Sequence, residues 1–176
     1  LVALFSAVLT CHVIAQDKPI FPMGEISTTD NHTGTIWLNE LSAPDSIFHY
    51  SVALATYAPG AKLDWHIHPA GQILLITDGT GYYQEKGKSM EIVHKGDIIK
   101  CRPGVAHWHD ASPNSPFAYL ATTPAQKGKT IWLQRVTDEE YSNAGLQRKA
   151  AQPTATSTPQ DQELINLSKQ KWSWMA

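Results

Sequence analysis

The sequence predicts an all-β domain, a sandwich or a barrel, and three observations carry that prediction. Short β-branched and aromatic runs recur about every ten residues, Gly and Pro (11 of each) separate them, and only one helix is plausible between the two ends of the chain. With 42% hydrophobic and 17% charged residues, a packed core is within reach and global disorder is excluded. The 176 residues hold one domain of ordinary size with about 30 residues to spare.

In chain order, the first ten residues, Leu1 to Thr10, are apolar and uncharged, and Val13 and Ala15 suit the minus-three and minus-one positions of a signal-peptidase site. Residues 1–15 therefore read as a signal peptide, too short to span a bilayer, and the mature protein as secreted or periplasmic. Thr10 is a poor neighbour for a lipidated Cys11; cleavage leaves Cys101 alone, buried and inert, with no intrachain disulfide. Strands follow at Thr35 to Leu38, Ser51 to Tyr57, Gln72 to Thr77, Gly81 to Glu85 and Met90 to His94. They continue at Asp97 to Cys101, Ala106 to His109, Phe117 to Thr122 and Thr130 to Val136. Turn signals divide them: Pro59-Gly60, Asp78-Gly79, Lys86-Gly87-Lys88, Lys95-Gly96-Asp97, Pro103-Gly104 and Ser112-Pro113-Asn114. The one helix runs from Asp138 to Asn143, with a capping box of Thr137 and Glu140 and a stop at Gly145. The domain spans residues 16–150. A Pro/Thr-rich linker covers 151–160, and an amphipathic helix over 161–176 carries Leu164, Leu167 or Ser168, Trp172 and Met175 at helical spacing, which reads as the start of a truncated second domain.

Lys and Arg total 14 against 16 Asp and Glu, a net charge of -2. No basic field gathers phosphates, so a nucleic-acid partner is excluded as a first reading and a small molecule takes its place. The chemistry sits on His spaced by one residue, twice. In Trp65-His66-Ile67-His68 and Ala106-His107-Trp108-His109 a strand puts both imidazoles of each pair on one face and the Trp residues on the other. Gln72, beyond a Pro-Ala-Gly bend, offers a carbonyl oxygen. If the two strands are neighbours, three His and one Gln make a neutral N3O set for divalent Mn, Fe, Ni or Zn. Single strand-borne His residues usually serve structure; two such pairs in one small domain are hard to explain that way. His94 and His49 read as surface or structural. Trp37, Phe48, Tyr50 and Tyr57 read as core packing, with lining of the barrel mouth the alternative, and Arg102 as a solvated side chain able to steer an anion.

The segment Gly60-x5-His66-x-His68-x3-Gln72-x6-Gly79 resembles the first motif of the cupin family, and Gly96-Asp97 through Pro103-Gly104 to His107 resembles the second. The resemblance implies a jelly-roll barrel (a double-stranded β-helix) with one short helix and a C-terminal helical tail, and a metal inside. Small cupins tend to be homodimers. The common cupin has Glu where this chain has Gln72; that Gln, with His-Trp-His, is similar to a subgroup that includes manganese-dependent hydroxynitrile lyases. The resemblance implies His66, His68, Gln72 and His107 as metal ligands, with Mn the leading ion, and His109 beside them as base or substrate contact. Subgroup members often carry a further His at the interior position of Tyr119, whose hydroxyl can donate or accept a proton in its place. The activity implied is that of a lyase of the hydroxynitrile lyase-like type on a small hydroxylated or carbonyl compound. Fe-dependent dioxygenase-like chemistry and non-catalytic small-molecule sensing are the alternatives. The run from Asn166 to Ala176 resembles the first helix of a SnoaL-like domain.

Overall fold

The computed structural model describes residues 19–142. The expected signal peptide, linker, C-terminal helix and Gly145 helix stop lie outside the described residues. Twelve strands form: β1 (Glu25–Ile26), β2 (His32–Thr33), β3 (Ile36–Ser42), β4 (Tyr50–Tyr57), β5 (Lys62–Leu63) and β6 (His66–Ile67). They continue as β7 (Gln72–Glu85), β8 (Glu91–His94), β9 (Ile98–Cys101), β10 (His107–Ala111), β11 (Phe117–Pro124) and β12 (Ile131–Trp132). One sheet runs β1-β3-β4-β11-β7-β10-β6-β12, with β8 and β9 also paired to β7, and curls into a half-barrel; β2 and β5 pair separately. The all-β expectation holds, and α1 (residues 138–142) is the one helix among the described residues.

The helix opens as its sequence requires. Glu140 N donates to Thr137 Oγ1 (3.1 Å) while Thr137 N donates back to Glu140 Oε2 (2.9 Å), the reciprocal bonds of a capping box.

Strand β7 departs from expectation. Asp78-Gly79 reads as a turn between two strands, yet one bent strand continues through it. Its first half pairs with β11 and β9, and its second with β10 and β8, so one strand belongs to both walls of the roll. Gly79 makes the bend: its φ is +72°, and a Cβ there would lie 1.8 Å from the Pro116 carbonyl oxygen. Next to it the register against β11 slips, Tyr119 facing Ile76 and Ala118 facing Asp78. Thr77 is thus an extra residue, a bulge. The slip changes which alternate residues point inward, from Gln72, Leu74 and Ile76 to Gly81, Tyr83 and Glu85.

The expected strand at Thr130 to Val136 shrinks to β12. Beyond Trp132 the chain keeps its bonds to the edge, Leu133 N to Trp65 O (2.8 Å) and Trp65 N to Gln134 O (3.0 Å), but crosses the outer face of the sheet. That face needs a cover because it carries Trp65, Tyr82 and Trp108, which pack with Val136 and the partly buried Tyr141 as a second core. The first core fills the interior and includes Ile36, Tyr57, Leu74, Ile76, Phe117 and Tyr119. Of the aromatic residues expected in the core, Tyr57 is there, but Phe48 and Tyr50 are exposed because they flank the start of β4 at the rim.

Candidate metal centre

Strands β6 and β10 are antiparallel neighbours with His107 opposite His66. His68 follows at the bend after β6, and His109 lies further along β10 opposite Tyr83. Strand alternation does what the spacing predicts: the four His turn inward and are buried, while Trp65 and Trp108 pack together on the outer face. The ring of His66 lies 5.1 Å from that of His68, 4.5 Å from His107 and 4.9 Å from His109.

The ring nitrogens are set by the backbone. His66 Nδ1 lies 2.8 Å from Asp64 O and His107 Nδ1 2.9 Å from Val105 O. A carbonyl only accepts, so each Nδ1 carries the proton and each Nε2 presents a lone pair. Both Nε2 atoms are buried with no hydrogen-bond partner among the described residues. His68 Nδ1 meets Thr130 Oγ1 at 3.2 Å. His109 has neither ring nitrogen partnered among the described residues. Burial lowers all four pKa values, His68 to about 4 and His66 and His109 well below the usual range, with neighbouring imidazoles adding repulsion in the charged form for His66, His68 and His109. The cluster is therefore neutral at neutral pH, the state in which imidazole binds a metal.

Gln72 opens β7 on the inward face; its Nε2 donates to Thr123 Oγ1 at 2.9 Å, and its Oε1 is buried with no hydrogen-bond partner among the described residues. Orphaned buried acceptors are costly, and here they gather in one place. His66, His107 and His109 each offer an atom within 4.8 Å of the others. A three-histidine group of this kind could hold a metal ion, and the donor set fits one.

Tyr119 sets its ring edge-on to His109 at 5.0 Å, and its hydroxyl lies 2.7 Å from that of Tyr57. Burial raises the pKa of both phenols, so both keep their protons at neutral pH. His94 and His49 are exposed, away from the cluster. Cys101 is buried, and burial pushes its thiol up to about 12, an inert state.

Glu85 escaped the sequence reading. It faces His107 across the β7–β10 ladder, and Arg102 clamps it through Nε (3.1 Å) and Nη2 (2.6 Å), with Lys88 Nζ at 2.6 Å. Arg102 is solvated as expected, and it is also one arm of an ion pair on the wall of a cleft of about 560 Å³. The only signal in the sequence was the inward parity of Glu85, hidden by the bulge. The Arg102 and Lys88 hydrogen bonds depress the Glu85 pKa from 4.5 to about 2. A depressed carboxylate stabilises the fold above its unfolded pKa and loses that contribution as pH falls through the folded one. The stability difference between wild type and Glu85→Gln should therefore shrink from about pH 4.5 toward pH 2, read by urea melts across that window.

The profile of the cupin domain matches residues 53–123. The chain is 40% identical over 114 residues to an (R)-mandelonitrile lyase of Granulicella tundricola, covering 64% of this chain and 86% of that protein. A crystal structure of a cupin-like protein from Thermotoga maritima superposes with a TM-score of 0.70 at 38% identity, covering 72% of this chain and 97% of that one. A cupin-2 domain from Rhodospirillum rubrum shares the fold alone, with a TM-score of 0.55 at 14% identity over 73% of this chain and 85% of that one. With the paired histidine strands, the buried neutral imidazoles and these relatives together, the chain belongs to the cupin family.

Proposed function

We propose that this cupin is a metal-dependent lyase that cleaves cyanohydrins of the mandelonitrile type. The observation that carries the proposal is the cluster of buried neutral imidazoles with unpartnered nitrogens beside the unpartnered Gln72 Oε1. The 40% identical mandelonitrile lyase supplies the substrate class.

In this reading His66, His68, Gln72 and His107 hold the ion and His109 does not. Metal-bound His residues almost always have their outer nitrogen held by a carbonyl, carboxylate or other partner. His66, His107 and His68 have one, in Asp64 O, Val105 O and Thr130 Oγ1; His109 has none among the described residues. All donors are neutral, so a divalent ion, with Mn the first choice, would act there as a Lewis acid of undiminished double charge, stabilising negative charge on a substrate oxygen or a departing anion. His109, kept unprotonated by burial, takes the proton of the cyanohydrin hydroxyl. The O–H electron pair closes the carbonyl, the C–C bond to the nitrile breaks, and its pair leaves with cyanide. Tyr119, held by Tyr57, keeps its proton and offers an O–H donor beside His109. The secreted or periplasmic location and the homodimer belong to the same proposal; exposed Ile73, Leu75 and Ile98 offer an apolar outer face for a second copy.

The test is to load the protein with Mn and follow benzaldehyde release from mandelonitrile. His109→Ala should keep its metal and lose at least about 100-fold in rate, the usual weight of a general base. If His109→Ala instead loses the metal while His68→Ala keeps it, the ligand set is His66, His107 and His109. Metal-loaded protein that leaves mandelonitrile intact overturns the lyase reading.

A further inference from the structure

We infer that Thr123 is a positioning residue for Gln72, holding the amide so that its oxygen rather than its nitrogen faces the imidazole cluster. The inference rests on the metal reading above. Thr122 pairs with Ile73, so the next step of the β7–β11 ladder brings Thr123 beside Gln72. Both sit on the inward face, Gln72 in line with Leu74 and Ile76, and Thr123 in line with Tyr119 and Ala121. The nitrogen end of the Gln72 amide is held by Thr123, Nε2 donating to Oγ1 at 2.9 Å, while the side chain lies close enough to His68 to bear on that imidazole. Its Oε1 is buried with no partner among the described residues.

An amide has two unlike ends and a soft terminal torsion, so the side chain alone does not decide which end points inward. Turned the other way, Gln72 would aim two N–H donors at the ion that the site is shaped to hold. A carboxylate would need no such control, because its two oxygens are equivalent. The choice of an amide at position 72 thus creates a need that the Thr123 hydroxyl meets by engaging the nitrogen end. Without it the buried amide N–H loses its partner and the oxygen loses its fixed direction.

The experiment is a titration of the metal-free full-length protein with Mn²⁺, read as a dissociation constant, in five forms: wild type, Thr123→Val, Thr123→Ser, Gln72→Glu, and Gln72→Glu with Thr123→Val. Thr123→Val keeps shape but removes the hydroxyl and should weaken Mn²⁺ binding by about 10–100-fold, the range for an outer partner of a ligand. Thr123→Ser should restore affinity to within about 3-fold, one hydroxyl serving as well as another. In the Gln72→Glu background, Thr123→Val should cost less than about 3-fold, because either carboxylate oxygen serves. Thermal melts of the metal-free forms check folding, and Thr123→Ala replaces Thr123→Val if the latter does not fold. Wild-type affinity in Thr123→Val, or an equal loss in both backgrounds, overturns the inference while leaving the metal reading intact. Failure of the wild type to take up Mn²⁺ overturns the metal reading, and the inference with it.

Discussion

His66→Ala is expected to abolish divalent-metal retention, weakening affinity by more than about 100-fold, beyond the loss typical of an outer partner. The size follows from position. His66 touches the rings of His68, His107 and His109, so it belongs to the ligand set whichever of the others completes it. Its Nε2 lone pair is fixed inward by the bond from Nδ1 to Asp64 O, as that of His107 is by Val105 O. The readout separates binding from folding. A ligand present at 100 times its dissociation constant adds about 2.7 kcal/mol to stability, so metal should raise the wild-type melting temperature by several degrees. In His66→Ala that increment should vanish while the metal-free melting temperature changes less, since removing an imidazole with an orphaned buried nitrogen relieves a penalty as it opens a gap. Undiminished metal content in His66→Ala, measured by elemental mass spectrometry, would sink the metal centre altogether.

Trp108→Ala is expected to destabilise the fold by about 3–5 kcal/mol, a large share of the 5–15 kcal/mol that holds a domain together. Trp108 is fully buried, meets Trp65 edge-on at 6.3 Å and donates from Nε1 to Gln84 Oε1 at 3.1 Å. Truncation loses the ring's packing, opens a cavity and leaves Gln84 short of a donor. Trp108→Phe keeps most of the apolar area and should cost less than half as much. Because Trp108 lies between His107 and His109 on β10, its loss also frees the backbone that aims both imidazoles. Denaturant melts of the metal-free protein measure the first effect; a loss of under 1 kcal/mol would show that residues 133–141 do not cover this face as tightly as their contacts imply.

What could be read from the sequence was whatever repeats with the strand. Two His-x-His pairs declare a shared face at once, and the outward Trp residues follow from the same alternation. The Thr137–Glu140 capping box is equally local, three residues apart, and stands as expected. What escaped is what folding alone brings together. Thr123 lies 51 residues from Gln72, and Thr130 lies 62 from His68, so no spacing rule links them. Glu85 was missed for a subtler reason. Counting on from Gln72, Leu74 and Ile76 through Thr77 puts Glu85 on the outer face, and nothing local to Gly81–Glu85 says which of its two faces is the inner one. The Thr130 to Val136 run was overread because only Ile131 and Trp132 join a ladder, while Leu133 stays exposed and Val136 turns onto the outer core.

The bulge in β7 makes the two ends of that strand count from different origins. A lengthening or shortening by one residue between Gln72 and Glu85 would turn either the amide or the carboxylate out to solvent, and with it half the wall. A change of two residues would leave both in phase. This stretch can therefore drift in length only by even steps, unless a second slip arises to absorb the odd one. The protein's tolerance for insertion here is a matter of arithmetic parity, where in its loops it is a matter of space.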